Sequence, residues 1–297
     1  MDVSIIIVNY NTSRLIKNLL FSIFKHTRGI DFEIIVVDNN PNEEVLCDLR
    51  DYIDNIQYIP LNENKGFGKA NNEGAKVAKG RNLLFLNPDT LLYENSIKMM
   101  SDFLDENPSV GVCGANIFDA EKKPTHSFKR LFPGFLMELD AACRSSLLPL
   151  IYGKNVEFNT TDKPLSVAYI CGADLMIKRN VWSEVGGFDK DIFMYYEDSL
   201  LCYQVRNLGF NVVSLPSTGI IHLEGKSFSL NEKREQVIFT GRYIFFSKVY
   251  TKAYHKLVNM MNRYLLALAM FVSKLSKNEQ EYRKFSFRYQ LYKNHKL

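Results

Sequence analysis

Two acidic residues in this chain come soon after apolar runs that are typical of buried strands. Asp38 follows the run at 34–37, and Asp89 follows the run at 83–86 after Asn87 and Pro88. Proline cannot donate a hydrogen bond within a β-ladder, so the second strand must end near Pro88 and leave Asp89 at its carboxyl edge. Ligands bind at that edge of open α/β sheets, and a carboxylate there suits a divalent cation that carries a diphosphate. The alternative is a simple turn, because Asn-Pro-Asp-Thr is favourable turn chemistry that needs no metal.

A third apolar run, at 3–8, ends at Asn9, so that Asn9, Asp38 and Asp89 could face one pocket. A carboxylate in the position of Asp38 could accept a hydrogen bond from a nucleobase N–H or a ribose hydroxyl. A Rossmann dinucleotide site is excluded, because the turn after Asn9 lacks the Gly-x-Gly-x-x-Gly pattern, and the sequence has no Walker motif. Gly66 and Gly68 are a weak signal, since such a loop is more often a turn before a helix.

The second half of the chain contributes an acidic pair and a histidine. Glu197 and Asp198 open a predicted helix. The helix dipole favours carboxylates in a first turn, so capping explains the pair as well as a catalytic role does. His222 lies in an apolar run, where a lone histidine is more often a hydrogen-bonded core residue than a ligand.

Strands and helices alternate along the chain, which predicts an α/β fold with a mostly parallel sheet and right-handed crossovers. Apolar runs predict strands at 3–8, 33–37, 56–60, 83–86, 110–113, 169–177, 212–215 and 220–223. Helical periodicity predicts helices from residues 13 and 43, over 69–79 and 96–107, around 181–185, and from 197 to a stop at Gly209. Residues 116–163 have no clear periodicity, and a loop this long usually carries function or is mobile.

Length and composition limit the class of protein. The 297 residues suffice for one large domain with an appendage, and 46% hydrophobic with 24% charged residues is the profile of an ordinary soluble globular protein. We expect no secretory signal and no membrane span, because the chain opens on a strand and the longest candidate, 264–272, has nine residues. Five scattered cysteines indicate reduced thiols in a cytosolic protein rather than disulfides or a zinc site.

Charge is divided unevenly along the chain. From residue 223 onward 15 Lys and Arg accompany five Asp and Glu, whereas residues 1–222 carry 22 against 28. Residues 231–297 also interleave basic with aromatic side chains, a pattern that suits the surface of an anionic bilayer. The alternative is a C-terminal helical pair that packs on the domain, or on a second subunit in a homodimer. Nucleic acid is a poor third choice, because no known reader module accompanies the charge.

In their order along the chain, these signals resemble the family 2 glycosyltransferases, and within that family the rhamnosyltransferase branch of polysaccharide assembly. The resemblance covers residues 3–225 and is carried by Val8-Asn9-Tyr10-Asn11, Val37-Asp38-Asn39, Asn64-Lys65-Gly66-Phe67-Gly68, Leu86-Asn87-Pro88-Asp89, Gly186-Gly187-Phe188-Asp189, Tyr195-Tyr196-Glu197-Asp198 and His222. It implies a GT-A fold over 1–230, in which residues 1–115 bind a nucleotide sugar and residues 116–230 bind an acceptor. Residues 231–297 would form a helical extension outside the family core.

The resemblance also implies roles for single residues. Asp198 matches the catalytic base, with Glu197 as the second choice. Asp89 and His222 match residues that hold a divalent metal, Mg²⁺ or Mn²⁺, together with the donor diphosphate. The donor-binding positions are Asn9, Asp38, Asn64, Gly66, Asn72, Asp89, Gly172 and Ala173.

Three features depart from patterns found in the family. Asn87 replaces the first acidic residue of the metal motif, so we expect a weakly held metal until the donor diphosphate adds oxygen ligands. Leu200 stands where many relatives have another acidic residue, which removes the basis for a second acidic contact to the acceptor. The Gln-x-x-Arg-Trp signature of processive members is missing, since the one tryptophan is Trp182. We therefore expect the addition of one sugar, or a few, per encounter.

The expected activity is inverting transfer of a sugar from dTDP-rhamnose to a saccharide acceptor, carried on a lipid, in bacterial surface polysaccharide synthesis. The enzyme would work in the cytoplasm, at the inner face of the cell membrane if its basic extension binds lipid. Two alternatives stay open: the same fold with a UDP-hexose donor, and a non-catalytic scaffold that binds nucleotide sugars. A nucleotidyltransferase is disfavoured because the first loop, residues 9–13, is not rich in glycine and lysine.

Overall fold

The structure, a computed structural model, describes residues 1–143, 145–223 and 232–294. Its strands are β1 (Val3–Asn9), β2 (Phe32–Asp38), β3 (Gln57–Pro60), β4 (Asn82–Leu86), β5 (Thr90–Leu92), β6 (Val110–Phe118), β7 (Phe128–Lys129), β8 (Leu165–Ser166), β9 (Tyr169–Ile170), β10 (Asp174–Lys178) and β11 (Asn211–His222). Its α-helices are α1 (Ser13–His26), α2 (Glu43–Leu49), α3 (Phe67–Val77), α4 (Ser96–Glu106), α5 (Phe135–Ala142), α6 (Leu148–Tyr152), α7 (Arg179–Val185), α8 (Glu197–Asn207), α9 (Glu232–Val249), α10 (Lys252–Leu275) and α11 (Glu279–Asn294).

Contacts divide the chain into two units. The first comprises Met1–Phe132 and Tyr152–Ser229, and it holds the strands. The second comprises Pro133–Ile151 and Leu230–Leu297. Residues 133–151, which come from the stretch without periodicity, therefore cluster with the C-terminal helices.

The first half of the sheet is parallel. β1 pairs with β2 and β4, and β2 pairs with β3, all in parallel. Parallel neighbours need crossover connections, and α1, α2 and α3 supply them. All of β1 is buried because both faces of the sheet are covered. Ile5 and Ile7 belong to the apolar cluster that includes Ile16 of α1, while Ile6 belongs to the cluster on the opposite face, which includes Ala70 of α3.

The second half of the sheet is mixed, so parallel pairing predominates only in the first half. The strand order is β3-β2-β1-β4-β10-β6-β11-β5, and β10 runs antiparallel to both β4 and β6. β11 is parallel to β6 but antiparallel to β5 and β8. β10 enters the sheet after a long excursion through short elements, rather than through the helical crossover that a parallel pairing with its neighbour would require.

Two regions of predicted strand differ in the structure. The run at 169–177 divides into β9 and β10, because residues 171–173 lie between the two strands. The strands predicted at 212–215 and 220–223 are a single strand, β11, whose pairing with β6 shifts register between Leu215 and Gly219. A bulge adds residues to one strand without ending it, so the interruption in the apolar pattern resembled a loop.

The second unit is helical, as predicted for the C-terminal extension, and α10 contacts α5, α9 and α11. Its interior contains the aromatic side chains of Phe245 and Phe246 together with buried Arg242. Arg242 pairs with Glu138 of α5 and donates to Asn259 of α10 at 3.2 Å, as a buried charge requires. Among the residues that the structure describes, no helix is both long and apolar enough to cross a bilayer.

Candidate active site

Asp89 lies in a turn between β4 and β5. The amide and hydroxyl of Thr90 both donate to the Asn87 carbonyl oxygen, at 3.2 and 2.7 Å, so the turn expected from Asn-Pro-Asp-Thr is present. The turn also serves a second purpose, because β5 pairs with β11 and sets His222 opposite Thr90. Asp89 Oδ1 lies 3.1 Å from His222 Nε2, and the Leu223 amide donates to the Asp89 carbonyl oxygen at 2.9 Å.

Asp89 and His222 together offer one carboxylate oxygen and one imidazole nitrogen, from side chains that are little exposed. Two ligands bonded at ~2.1 Å to one octahedral cation lie about 3 Å apart, so the observed separation suits a shared divalent ion. Within the described part of the chain, no group of three or more His, Cys, Asp or Glu side chains could hold a metal. These two side chains would fill two positions of such an ion, and diphosphate oxygens suit further ones.

The segment 171–173, between β9 and β10, joins this turn to the acidic pair. The Asn87 amide donates to the Ala173 carbonyl oxygen at 3.0 Å. The Gly172 amide donates to Asp198 Oδ2, also at 3.0 Å. The predicted metal residues and the predicted base therefore lie on either side of one short segment, at the edge of the sheet where β4 ends.

Glu197 and Asp198 open α8, as predicted, but their carboxyl groups have different surroundings. Asp198 is partly exposed, and its Oδ1 accepts from the Ser199 amide at 2.6 Å and from the Ser199 hydroxyl at 3.1 Å. Glu197 is only 6% exposed, and its buried Oε2 has no hydrogen-bond partner among the described residues. Asp198 thus has several hydrogen-bond donors, while one oxygen of Glu197 has none among the described residues.

These surroundings separate the protonation states of the two carboxyls. Burial, reinforced by the adjacent Asp198 charge, raises the pKa of Glu197 to about 8. Burial also raises the pKa of Asp198, but the Ser199 and Gly172 amides oppose that shift by bonding to the charged form. Glu197 therefore holds a proton near neutral pH, while the donors around Asp198 favour its charged form. Because a general base must be deprotonated, this arrangement favours Asp198 for that role.

The backbone before the acidic pair is strained. Tyr195 and Tyr196 have φ of 67° and 74°, the left-handed region that non-glycine residues seldom adopt. Each such residue costs of order 1–3 kcal/mol and persists only where the surrounding structure enforces it. Two in succession immediately before Glu197 mark this turn as a functional segment.

The loop that carries Asn64 and Gly66 supplies part of that enforcement. Asn64 Oδ1 accepts from the Gly66 amide at 2.9 Å, and the Phe67 amide donates to the Phe193 carbonyl oxygen at 2.9 Å. Gly66 has φ +81°, and a Cβ added there would lie 2.2 Å from the same Phe193 oxygen. Only glycine fits at this position. The predicted donor loop therefore packs directly against the segment that leads into Glu197, and a hydrogen bond joins the two.

Asn72, a second predicted donor-binding residue, has both ends of its amide engaged with Phe188. Its Nδ2 donates to the Phe188 carbonyl oxygen at 2.8 Å, and its Oδ1 accepts from the Phe188 amide at 2.9 Å. Gly187 lies against this amide with φ +85°. Asn72 thus holds the turn Gly186-Gly187-Phe188 in place. Its residue type alone did not indicate this role.

Asn9 and Asp38 are brought together, as their positions at neighbouring strand ends predict, but both are fully buried. Asn9 Nδ2 donates to Asp38 Oδ1 at 2.9 Å, and the Tyr58 hydroxyl donates to Asp38 Oδ2 at 2.6 Å. The next residue, Asn39, accepts from the Lys65 amide at 3.1 Å. This network fixes the base of the donor loop, and contact of Asn9 or Asp38 with a nucleotide stays a prediction.

The sequence did not point to His126, which lies near Asp198. β7 pairs with β9, and the Ser127 carbonyl oxygen accepts from the Cys171 amide at 3.0 Å, which brings His126 to the segment that bonds Asp198. Its positive charge, when present, lowers the pKa of Asp198. His126 belongs to the stretch without periodicity, and two-residue strands leave no pattern from which its position could be inferred.

The sheet thus has a parallel half, whose strands end in polar side chains, and a mixed half. An acidic pair and an Asp–His pair lie at the same edge. This is the architecture of the GT-A glycosyltransferases. The chain matches the family described as Glycosyl transferase family 2 over residues 4–179. It therefore belongs to family 2 of the glycosyltransferases, as the sequence motifs predict, and it is a glycosyltransferase by family and fold.

Similar proteins include transferases of several glycans. The chain is 27% identical over 289 residues to the low-salt glycan biosynthesis hexosyltransferase Agl10 of Haloferax volcanii, covering 95% of this chain and 87% of that protein. It is 26% identical to the rhamnosyltransferase WbbL of Escherichia coli, over 82% of this chain and 92% of that protein. The dTDP-rhamnosyl transferase RfbF of Shigella flexneri is 24% identical over 74% of this chain and 68% of its own length.

Solved structures share the fold. A mannosyltransferase from Pyrobaculum calidifontis, in complex with GDP-Man and Mn²⁺, superposes with a TM-score of 0.61 at 16% identity, covering 98% of this chain and 84% of its own. Residues 1–349 of TarS from S. aureus superpose with a TM-score of 0.54 at 19% identity, covering 98% of this chain and 91% of that one. These likenesses establish the GT-A fold.

Proposed function

We propose that this enzyme transfers a sugar, with inversion, from dTDP-rhamnose to a saccharide acceptor carried on a lipid, at the cytoplasmic face of a bacterial membrane during surface polysaccharide synthesis. The donor follows from the similarity to RfbF and WbbL, whose names specify rhamnosyl transfer. The observation that carries the chemistry is the hydrogen-bonded line from Asn87 through residues 171–173 to Asp198. It joins the turn that carries Asp89 to the Asp198 carboxyl group across a single short segment.

The reaction is a single displacement. The acceptor hydroxyl oxygen attacks the anomeric carbon from the face opposite the leaving group, and a glycosidic C–O bond forms as the bond from that carbon to the diphosphate oxygen breaks. Asp198 takes the hydroxyl proton, which requires its carboxylate to lie within ~3 Å of the hydroxyl. The electron pair of the broken bond stays on the leaving nucleoside diphosphate.

The other residues of this site orient the reacting groups. Asp89 and His222 would hold a divalent cation, which would neutralise the charge that develops on the leaving diphosphate. The Gly172 and Ser199 amides favour the charged form of Asp198 and fix the direction of its carboxyl group. Neutral Glu197 fills the buried space beside it without adding a second negative charge near the diphosphate.

Calorimetric titration of dTDP and of UDP, each with and without Mn²⁺, tests the donor and the metal together. We expect dTDP to bind more tightly than UDP, and Mn²⁺ to strengthen binding. Asp89→Ala should abolish the gain from Mn²⁺, because it removes one of the two predicted protein ligands. Asp102→Ala, which removes a surface carboxylate paired with Lys98 on α4, is the matched control and should keep that gain.

Each other outcome contradicts a stated part of the proposal. Tighter binding of UDP would replace dTDP-rhamnose with a UDP-hexose donor, the alternative that the hexosyltransferase relative Agl10 supports. Binding of neither nucleotide would contradict a dTDP-sugar or UDP-sugar ligand, whether the protein is a catalyst or a scaffold that binds nucleotide sugars. Equal binding with and without Mn²⁺ would remove the metal from the mechanism.

A further inference from the structure

Helix α10 exposes a continuous apolar face. Seven of its large apolar side chains are 50% to 72% exposed, and they recur every three or four residues along one side of the helix: Leu257, Met260, Tyr264, Leu268, Phe271, Val272 and Leu275. They make up a third of the 21 large apolar side chains that are exposed among the described residues, on a helix of 24 residues. An exposed patch of this kind marks an interaction surface.

The less exposed side of α10, which packs within the second unit, combines polar residues with half-buried apolar ones such as Leu265 and Leu266. Its buried residues are His255, Val258, Asn259, Asn262 and Ser273. A helix on the surface of a globular protein normally turns its apolar stripe inward and its polar residues toward water. In α10 several polar residues are buried while seven large apolar side chains are exposed, so the exposed apolar face is available to something other than the rest of its own unit.

The charge of α10 indicates what that partner is. The helix carries Lys252, Lys256, Arg263 and Lys274 and has no acidic residue. Lys252, Lys256 and Lys274 are exposed. A helix with an apolar face and only basic charges lies in the interface of an anionic bilayer, where the apolar side chains enter the acyl boundary and the lysines meet lipid headgroups.

The same charges disfavour a second copy of the chain as the partner. If two copies paired through this face, their basic side chains would be brought together without acidic partners on either helix, and like charges placed together across an interface are destabilising. Tyr264, the most exposed of the seven at 72%, has an apolar ring and a polar hydroxyl, the combination found where protein meets the bilayer interface.

We propose that the apolar face of α10 is a membrane-docking surface for anionic lipid, which holds the enzyme at the bilayer without crossing it. The inference deepens the proposed function, on whose membrane location it rests, by naming the surface that meets the lipid, and it does not depend on which nucleotide sugar is used. It supplies a reason for a lipid-carried acceptor, since an enzyme held at the bilayer meets such acceptors at high local concentration.

Flotation of the full-length protein with vesicles tests this surface. Vesicles of phosphatidylcholine with 30% phosphatidylglycerol should carry the protein, and pure phosphatidylcholine vesicles should carry at least tenfold less. Leu268→Gln with Phe271→Gln should lower partitioning to the anionic vesicles by about tenfold or more, because two side chains lose their apolar contact. Lys252→Gln, Lys256→Gln and Lys274→Gln together should lower it by roughly a hundredfold, at about 1 kcal/mol for each basic residue near the surface.

A matched double variant controls for the loss of exposed apolar side chains in general. Phe21→Gln with Leu208→Gln removes two such residues from α1 and from the end of α8, in the other unit, and should leave flotation unchanged. Circular dichroism of each variant should match the parent protein, because all the altered residues are exposed.

Three results would overturn the proposal: no flotation with anionic vesicles, flotation that the α10 variants leave unchanged, or a dimer in analytical ultracentrifugation that Leu268→Gln with Phe271→Gln dissociates. The last result would assign the face to self-association. Because nucleotide binding is measured without vesicles, failure of the docking surface and failure of the proposed reaction are distinguishable.

Discussion

Glu197 and Asp198 are adjacent in the chain, yet their surroundings give them different chemistry. Two backbone amides and a hydroxyl donate to Asp198, whereas Glu197 Oε2 is buried without a partner in the described residues. Hydrogen bonds to the charged form hold a carboxylate ionised, and desolvation holds one neutral. From the residues alone, helix capping explained the pair as well as catalysis did, and the family resemblance named Asp198 as the base with Glu197 as the second choice.

Replacing Asp198 tests this division. Asp198→Asn keeps the shape of the side chain but cannot accept the acceptor proton, so kcat should fall by ~10²-fold or more in a steady-state assay of nucleotide release. Nucleotide affinity should stay within about twofold of the parent enzyme. If Glu197→Gln were the more damaging variant and Asp198→Asn retained turnover, the two roles would be reversed.

Glu197 should also make stability depend on pH. Its pKa is raised from 4.5 to about 8 in the folded protein, so the unfolded state releases this proton first. The contribution of Glu197 to the free energy of unfolding is therefore greatest below about pH 4.5. That contribution decreases as pH rises from about 4.5 to about 8. Glu197→Gln removes the dependence, and we expect its melting temperature to exceed that of the parent by more at pH 8 than at pH 5.5.

Thermal melts of both proteins across this range measure the effect, with Glu106→Gln, a change at an exposed carboxyl, as the control. A gap between the parent and Glu197→Gln that does not change with pH would show that Glu197 is already ionised in the folded protein. It would then compete with Asp198 for the role of base.

Among the elements, the loop before α3 and the turn before α8 act as a pair. The Phe67 amide bonds to the Phe193 carbonyl oxygen, and Gly66 lies against that same oxygen. Two tyrosines in the left-handed region follow shortly after Phe193. Any movement of the donor loop is therefore transmitted to the backbone that orients the acidic pair.

Gly66→Ala should separate these elements. The new Cβ would meet the Phe193 carbonyl oxygen at 2.2 Å in a backbone with φ +81°, and we expect a loss of ~1–3 kcal/mol in the free energy of unfolding together with weaker nucleotide binding. Gly186→Ala is the control, because Gly186 has φ +86° but a Cβ there meets nothing within 4 Å. Denaturant unfolding and nucleotide titration of both variants measure the difference, and equal effects would contradict a specific contact at Gly66.

For the molecule as a whole, the sequence predicted most of what local pattern determines. Apolar runs located β1 to β4, and helical periodicity located α1, α4 and α8 within a few residues. Polar residues at strand ends predicted that Asn9 would meet Asp38, because parallel strands end at one edge. The order of motifs predicted the family.

What the sequence could not predict depends on contacts between distant segments. The direction of β10 depends on the path of residues 119–168, whose elements are too short for a periodic signal. His126 reaches the site only through the two-residue pairing of β7 with β9. Asn72 and Asp38 turned out to be held by Phe188 and Tyr58, which are far from them in sequence or lie on another strand.

The two units should differ in local stability. The sheet buries continuous apolar strands, whereas the interior of the second unit mixes Phe245 and Phe246 with charged and amide side chains, and α10 exposes large apolar side chains. Regions with few buried apolar contacts open more readily, so hydrogen exchange should be slowest in β1 and β4 and faster in α10. Anionic vesicles should slow exchange in α10 and leave β1 unchanged, as followed by mass spectrometry, and equal slowing in both would contradict a localised surface.

The bulge in β11 has a consequence for how this chain can vary in length. Residues 216–218 have no partners in β6, because Leu215 and Gly219 pair with adjacent residues of that strand. From Gly219 onward the strand pairs without interruption up to His222, which brings the histidine to Asp89. Side chains alternate between the two faces of a strand, so one residue gained or lost after Gly219 would turn the histidine away from the aspartate. A residue gained or lost at 216–218 would be absorbed by the irregularity. Natural insertions and deletions between Leu215 and His222 should therefore be confined to those three positions.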